Sequence, residues 1–196
     1  MYSKNVKVTV DRVAGVIKSI GSLTGQRVLV GVPAQTTGRE DETTNATLAY
    51  IHDNGSPANN IPARPFMRPG IAAAKKDIEA RLKVAANAAL NESVSSVDNA
   101  LGSAGQVASD RIRMAITNGN FAPLSPETIR GRARSRGTKS RREDEKLYLS
   151  EYKRLRRSGM DSEAAALSAQ SLSGIKPLIN TSEMLKSITY VIRKIK

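Results

Sequence analysis

Between His52 and Pro69 the chain reads HDNGSPANNIPARPFMRP. Pro57, Pro62, Pro65 and Pro69 fall in this stretch, half of the eight prolines in the chain. Each proline fixes its own φ and drives the residue before it away from the helical region. The stretch therefore reads as an extended, stiff strap with little entropy to lose on docking. It also holds the only histidine and one of the two phenylalanines. Two readings follow: an active site around a lone His, or a rigid strap that shapes a surface for another protein.

Around the strap the pattern alternates between strand and helix signals. Residues 6–10, VKVTV, alternate apolar and polar as a half-buried strand does. Residues 11–22 are ambiguous; VAGVIKSI could form a short helix that Gly15 weakens. Arg27 to Pro33, RVLVGVP, reads as a second strand ended by proline, and the polar stretch after it as a loop. TNATLAYIHDNG predicts a short helix closed by Asn54-Gly55, with Leu48, Ile51 and His52 toward one face.

Two long alanine-rich helices should follow the strap. Ile71, Ile78, Leu82, Ala85 and Ala89 form the stripe of the first. Val97, Leu101, Ala104, Ala108, Ile112 and Ala115 form that of the second, which Asn118-Gly119-Asn120 stops. Ser125, Pro126 and Glu127 make a helix start, which dissolves into a basic run. A charged helix comes next, with Leu147, Leu155, Tyr148 and Tyr152 on a narrow apolar side, and then an alanine-rich helix capped by Asp161. Asn180 and Glu183 have capping-box spacing, and ITYVIRKI alternates as a final strand. Strands near both ends and helices between them predict an α+β fold, a small, mostly antiparallel sheet packed with long alanine-rich helices. One domain over 1–196 is expected, with a basic helical or loop insertion at about 131–174.

Aromatics make up 4% of residues, with no Trp. So thin a core suggests a slender subunit that gains stability by assembling. With no cysteine there is no disulfide and no Cys-based metal site. No apolar run approaches the roughly 18 residues that a membrane span needs. MYSKNVKVTV lacks a signal-peptide core, so synthesis and assembly in a cytoplasm are expected.

Catalytic chemistry finds little footing. His52 has Asp53 beside it, but neighbours on a helix point apart, and a structural His near a helix end is the stronger reading. Glu143 to Glu145 and the acidic run 39–42 lack EF-hand spacing and read as solvated charge. No phosphate-binding loop occurs. No catalytic, metal or cofactor residue is assigned, and no enzyme activity is expected.

Charge is the stronger signal, at a net +13. Arg130 to Arg157 holds twelve Lys/Arg against four Asp/Glu. Within it Arg130, Arg132, Arg134, Arg136, Lys139, Arg141 and Arg142 alternate with small residues. Three readings stand side by side: contact with a DNA backbone without sequence readout, docking on an acidic neighbour, or a solvated loop. Base stacking is not expected, since no aromatic interleaves the run.

Three stretches together, RVLVGVPA, LAYIHDNGSPANNIPARPFMRPGI and KPLINTSEMLKSITYVIR, resemble the lambda-like tail-completion and neck proteins of tailed bacteriophages and their virion-morphogenesis relatives. The strap match rests on Ile61, Pro62, Arg64, Pro65, Phe66, Arg68 and Pro69, and the turn match on Ile51, His52 and Gly55. The last motif rests on Lys176, Pro177, Leu178, Leu185, Ser187 and Ile188, and Pro123 to Arg132 matches a further segment. Asp53 and Asn54 stand where the family has Glu and an aromatic, and Ser182 where Gly is common.

The resemblance implies a structural, non-enzymatic subunit of the virion neck that completes the tail and joins it to a DNA-filled head. The partners it implies are further copies in a ring, with six favoured over twelve, the head-side adaptor or portal, and the tail tube or terminator. A tail terminator is the alternative in the same setting; a sequence-independent cytoplasmic DNA-binding protein is the alternative of another class. Ile61, Pro62, Arg64, Pro65, Phe66, Met67, Arg68 and Pro69 are then expected at a subunit or partner interface. Phe66 and Met67 would pack into the subunit or a neighbour, and Arg64 and Arg68 would meet backbone carbonyls or partner carboxylates. The basic run would face genomic DNA or an acidic ring.

Overall fold

The structure, a computed structural model, describes residues 11–34, 44–91, 93–134, 138–180 and 182–195. The strand expected at 6–10, the acidic run 39–42 and Arg136 lie outside them. The described residues form an α+β fold with a two-stranded antiparallel sheet. They divide into two compact units, one built from residues up to 31, 71–111 and 189 onward, the other from 32–70 and 112–188.

In the first unit the ambiguous segment resolves as helix α1, Val13–Thr24. It is followed by β1, Gln26–Gly31, which pairs with the last strand, β2, Thr189–Lys194. The register sets Val28 opposite Ile192 and Val30 opposite Tyr190 on one face, and Leu29 opposite Val191 on the other. Val28 and Ile192 pack on a core of Ala85, Ala89, Val97, Ala100 and Leu101. These come from α3, Met67–Leu90, and α4, Val94–Asn118, the two long helices expected.

The stripe of α3 differs from the one expected. Ala74, Ala85 and Ala89 are buried, whereas Ile71 and Leu82 are each 43% exposed. An alanine Cβ lets neighbouring backbones come close, so the small residues take the line of nearest approach and the branched ones fall at its margin. In α4 the expected residues Val97, Leu101, Ala104, Ala108 and Ile112 are buried, while Ala115 is only half-buried and Ile116 takes the buried position beside it. Gly105 extends the same logic: a Cβ there would lie 2.5 Å from the Tyr190 ring.

The second unit begins with α2, Asn45–Asn54, capped by the Thr44 side chain and closed by Gly55 at φ 80°. Later come α5, Pro126–Arg134, and α6, Lys139–Arg157, with Ser125 and Thr138 as their caps. α7, Ser162–Ser173, has the expected Asp161 cap, and α8, Glu183–Ser187, is short. α6 packs against both α5 and α7. Their core is Leu124, Ile129, Tyr148, Ala166 and Ala169.

Two local expectations fail here. Leu147, expected on the apolar side of α6, is 44% exposed, whereas Tyr148, expected on the same side, is fully buried. The Tyr148 hydroxyl donates to the Leu124 carbonyl at 2.8 Å, which makes its burial tolerable, and its ring stacks on Tyr152. The Asn180–Glu183 capping box does not form. Ser182, in the left-handed region at φ 63°, precedes α8, and the Asn180 side chain accepts instead from Arg141.

Two glycines give opposite predictions for one substitution. Glycine to alanine in a helix interior gains up to about 1 kcal/mol when the methyl meets nothing. Gly131 in α5 has open space around it, so Gly131→Ala should stabilise the protein by up to that amount. Gly105→Ala would drive a methyl into the Tyr190 ring and should cost about 1–3 kcal/mol. Denaturant unfolding of both variants reads the two signs; stabilisation by Gly105→Ala would contradict the packing of Tyr190 on α4.

Candidate functional site: the proline strap and its arginine cluster

The strap leaves α2 through a turn that only glycine fits easily. A Cβ on Gly55 would sit 2.8 Å from the Ala63 backbone nitrogen, and its φ is positive. Ser56 and Ile61 then exchange backbone hydrogen bonds, and Arg64 N–H donates to the His52 carbonyl at 2.7 Å. The strap therefore folds back along the end of α2.

It is not extended throughout, as its prolines led us to expect. Pro57 starts a 3-10 turn that ends at Asn60 in the left-handed region. Pro69 lies in the first turn of α3. Both positions suit proline, because the first N–H groups of a helix have no intrahelical acceptor. Residues 62–66, between the bridge at Ile61 and the start of α3, belong to no helix or strand.

Asp53 supplies the acceptor that the start of α3 lacks. Its Oδ1 accepts from Phe66 N–H at 2.7 Å and Met67 N–H at 2.9 Å. A carboxylate at a helix N-terminus satisfies orphan donors and meets the positive end of the dipole. Immediately afterwards Gly70 lets α3 approach α4; a Cβ there would lie 2.6 Å from the Ile112 Cα.

The strap residues divide by burial. Phe66 is fully buried and Arg64 is 3% exposed. The Arg64 Nε donates to the Ala122 carbonyl at 2.9 Å and its Nη2 to the Pro123 carbonyl at 3.0 Å. Ile61 and Met67 are half-buried, while Pro62, Pro65, Arg68 and Pro69 are exposed. Phe66 and Arg64 thus anchor the strap within its own unit, and the exposed four form its outer ridge.

The basic run is helical rather than a loop where it is described. Arg130, Arg132 and Arg134 belong to α5, and Lys139, Arg141 and Arg142 to α6. Alternate residues of a helix point to nearly opposite sides, so the run cannot present one continuous basic face. Arg132 turns inward and donates to the Pro177 carbonyl at 2.9 Å. Arg141 donates to Asn180 Oδ1 and to the Arg132 carbonyl, and its Nε lies 3.3 Å from the Glu145 carboxylate. Arg130 pairs with Glu127, and Arg134, Lys139 and Arg142 are exposed.

Glu145, expected in a solvated run, is 2% exposed. Its spacing from Arg141, one helical turn, was the available signal. No comparable signal marked Asp53 as the cap of α3, since it precedes Met67 by 14 residues. Among the described residues no group of three or more His, Asp or Glu could hold a metal ion.

His52 stands between the strap and α5. Burial pulls its pKa below the usual 6.5, and the Arg64 and Arg132 guanidinium charges pull it down further. Its Nδ1 is buried without a hydrogen-bond partner among the described residues. The imidazole is therefore largely neutral at pH 7 and forms no ion pair with Asp53, whose carboxylate is engaged at α3.

Comparison with protein-family models, with curated proteins and with solved structures returns no match to the chain.

The His52 environment sets a pH dependence. Below pH 6.5 the unfolded chain takes up a proton at His52 that the folded chain resists, so the unfolded state binds more protons and stability falls with falling pH. Above 6.5 both states are neutral there and the effect vanishes. The unfolding free energy of the native chain minus that of His52→Gln should be flat above about pH 7 and decline toward pH 5.5. A difference that stays flat across this window would contradict the placement of His52 against two arginines.

Proposed function

We propose that this chain is a structural subunit of the neck of a tailed bacteriophage, completing the tail and joining it to the DNA-filled head. The observation that carries the reading is the strap. Arg64, Phe66 and the Asp53 cap fix it from within, and Pro62, Pro65, Arg68 and Pro69 stand outward on that fixed base. A surface held in place before docking loses little entropy when a partner arrives. The order of the family-like motifs along the chain supports the same reading.

The partners proposed are further copies of the chain in a ring, six favoured and twelve the alternative, with a head-side adaptor or portal above and a tail tube or terminator below. Heterologous contacts close such rings. The exposed Arg134, Lys139 and Arg142 suit contact with an acidic ring or with passing DNA. Arg132 and Arg141 are engaged inside the unit, which weakens the rival reading of a dedicated DNA-binding protein.

Electron microscopy of particles from the parent phage, carrying a nonsense mutation in this gene, tests the proposal. Full heads beside separate tails of normal length are expected. Overlong tails would assign tail termination instead, and intact infectious virions would overturn the structural reading.

A further inference from the structure

A cavity of about 630 Å³ opens in the second unit between the strap, α5 and the start of α7. His52, Arg64 and Arg132 line it, and Glu127, Asp161 and Glu163 stand around it. Its size falls in the range of sites that take a ligand group or an anchoring side chain.

Among the charges of its wall Arg64 stands apart, since Glu127 pairs with Arg130 and Asp161 caps α7. Arg64 is almost fully buried, yet it has no carboxylate partner among the described residues; only the Ala122 and Pro123 carbonyls accept from it. Those two bonds use Nε and Nη2, which leaves Nη1 for another acceptor. Arg132, which the Glu145 carboxylate favours in its charged form, brings a second guanidinium to the wall, and the two arginines repel one another. A buried cation without an anion is costly, and an oxyanion placed beside it recovers Coulomb energy and a charge-assisted hydrogen bond.

The surrounding acids narrow the choice of anion. Glu127, Asp161 and Glu163 add negative charge around the cavity, and Asp161 accepts from Glu163 N–H and Ala164 N–H. A dianionic phosphate or a nucleic-acid backbone would meet repulsion there. A single carboxylate flanked by basic residues meets complementary charge throughout: the carboxylate on the arginines, its neighbours on the acids.

We propose that this cavity is a docking pocket for one carboxylate side chain, presented by a mixed-charge segment of a partner polypeptide. The partner part rests on the docking role proposed above. The pocket itself does not, and its affinity is read in a binding experiment that particle assembly does not enter.

His52 is the sole histidine, so its ring proton gives one unambiguous NMR signal beside the pocket. The full chain is titrated at constant ionic strength with a capped Lys-Glu-Lys peptide, with capped Lys-Gln-Lys, and with inorganic phosphate. A saturable shift of the His52 signal with Lys-Glu-Lys, at least tenfold weaker with Lys-Gln-Lys, is expected. An equal response to both peptides, a response to phosphate alone, or no saturable response to any of them would overturn the proposal. This comparison needs no variant. Where Arg132→Gln keeps the folded amide spectrum, it should weaken the Lys-Glu-Lys response about tenfold, and an unchanged response would also count against the pocket.

Discussion

The second unit is organised around a guanidinium charge taken out of water. Arg64 is buried beside Phe66, and the carbonyls of Ala122 and Pro123 receive it. An isolated buried cation would cost many kcal/mol, so the surroundings must supply fixed acceptors. Those carbonyls belong to the segment that leads into α5, and the Arg64 backbone N–H is fixed on the end of α2. One residue therefore ties three parts of the chain together. The position of the strap, the start of α3 and the wall of the cavity all depend on that tie.

Arginine is suited to this task and lysine is not. Its planar fork can address two carbonyls at once, and its charge does not vanish on burial. Asp53 complements it on the other side of the strap by holding the first turn of α3. With both ends fixed by polar contacts, Phe66 is held in the core, and the prolines need only stiffen what lies between. The docking role proposed for the outer ridge rests on this division between an anchored inner side and an exposed outer one.

The first unit depends on smallness. Its core carries alanines and glycines where larger domains place leucine or phenylalanine, and Tyr190 lies where Gly105 leaves room. This explains what could be read beforehand. The terminal strand, most of the α4 stripe and the Ser125 and Asp161 caps follow from local periodicity and spacing, and the structure reproduces them. The margin of α3 did not follow, because Ile71 and Leu82 look like core residues unless the closeness of the neighbouring backbone is known. In the site, the burial of Phe66 was legible, whereas the strap was expected to be extended and instead starts with a 3-10 turn. The partners of Asp53, Arg132 and Asn180 were not, since each is set by residues distant in sequence. The alternating arginines show why local conformation matters to such a reading: a period of two gives one face in an extended chain but nearly opposite faces in a helix.

The most direct measurement is the unfolding free energy of Arg64→Met in urea. Methionine keeps much of the apolar stem but leaves the Ala122 and Pro123 carbonyls without their donors. A loss of about 2–4 kcal/mol is predicted, the scale for buried hydrogen bonds from a charged group. A change within about 0.5 kcal/mol, the scale of an ordinary surface substitution, would contradict Arg64 as the tie that holds the strap.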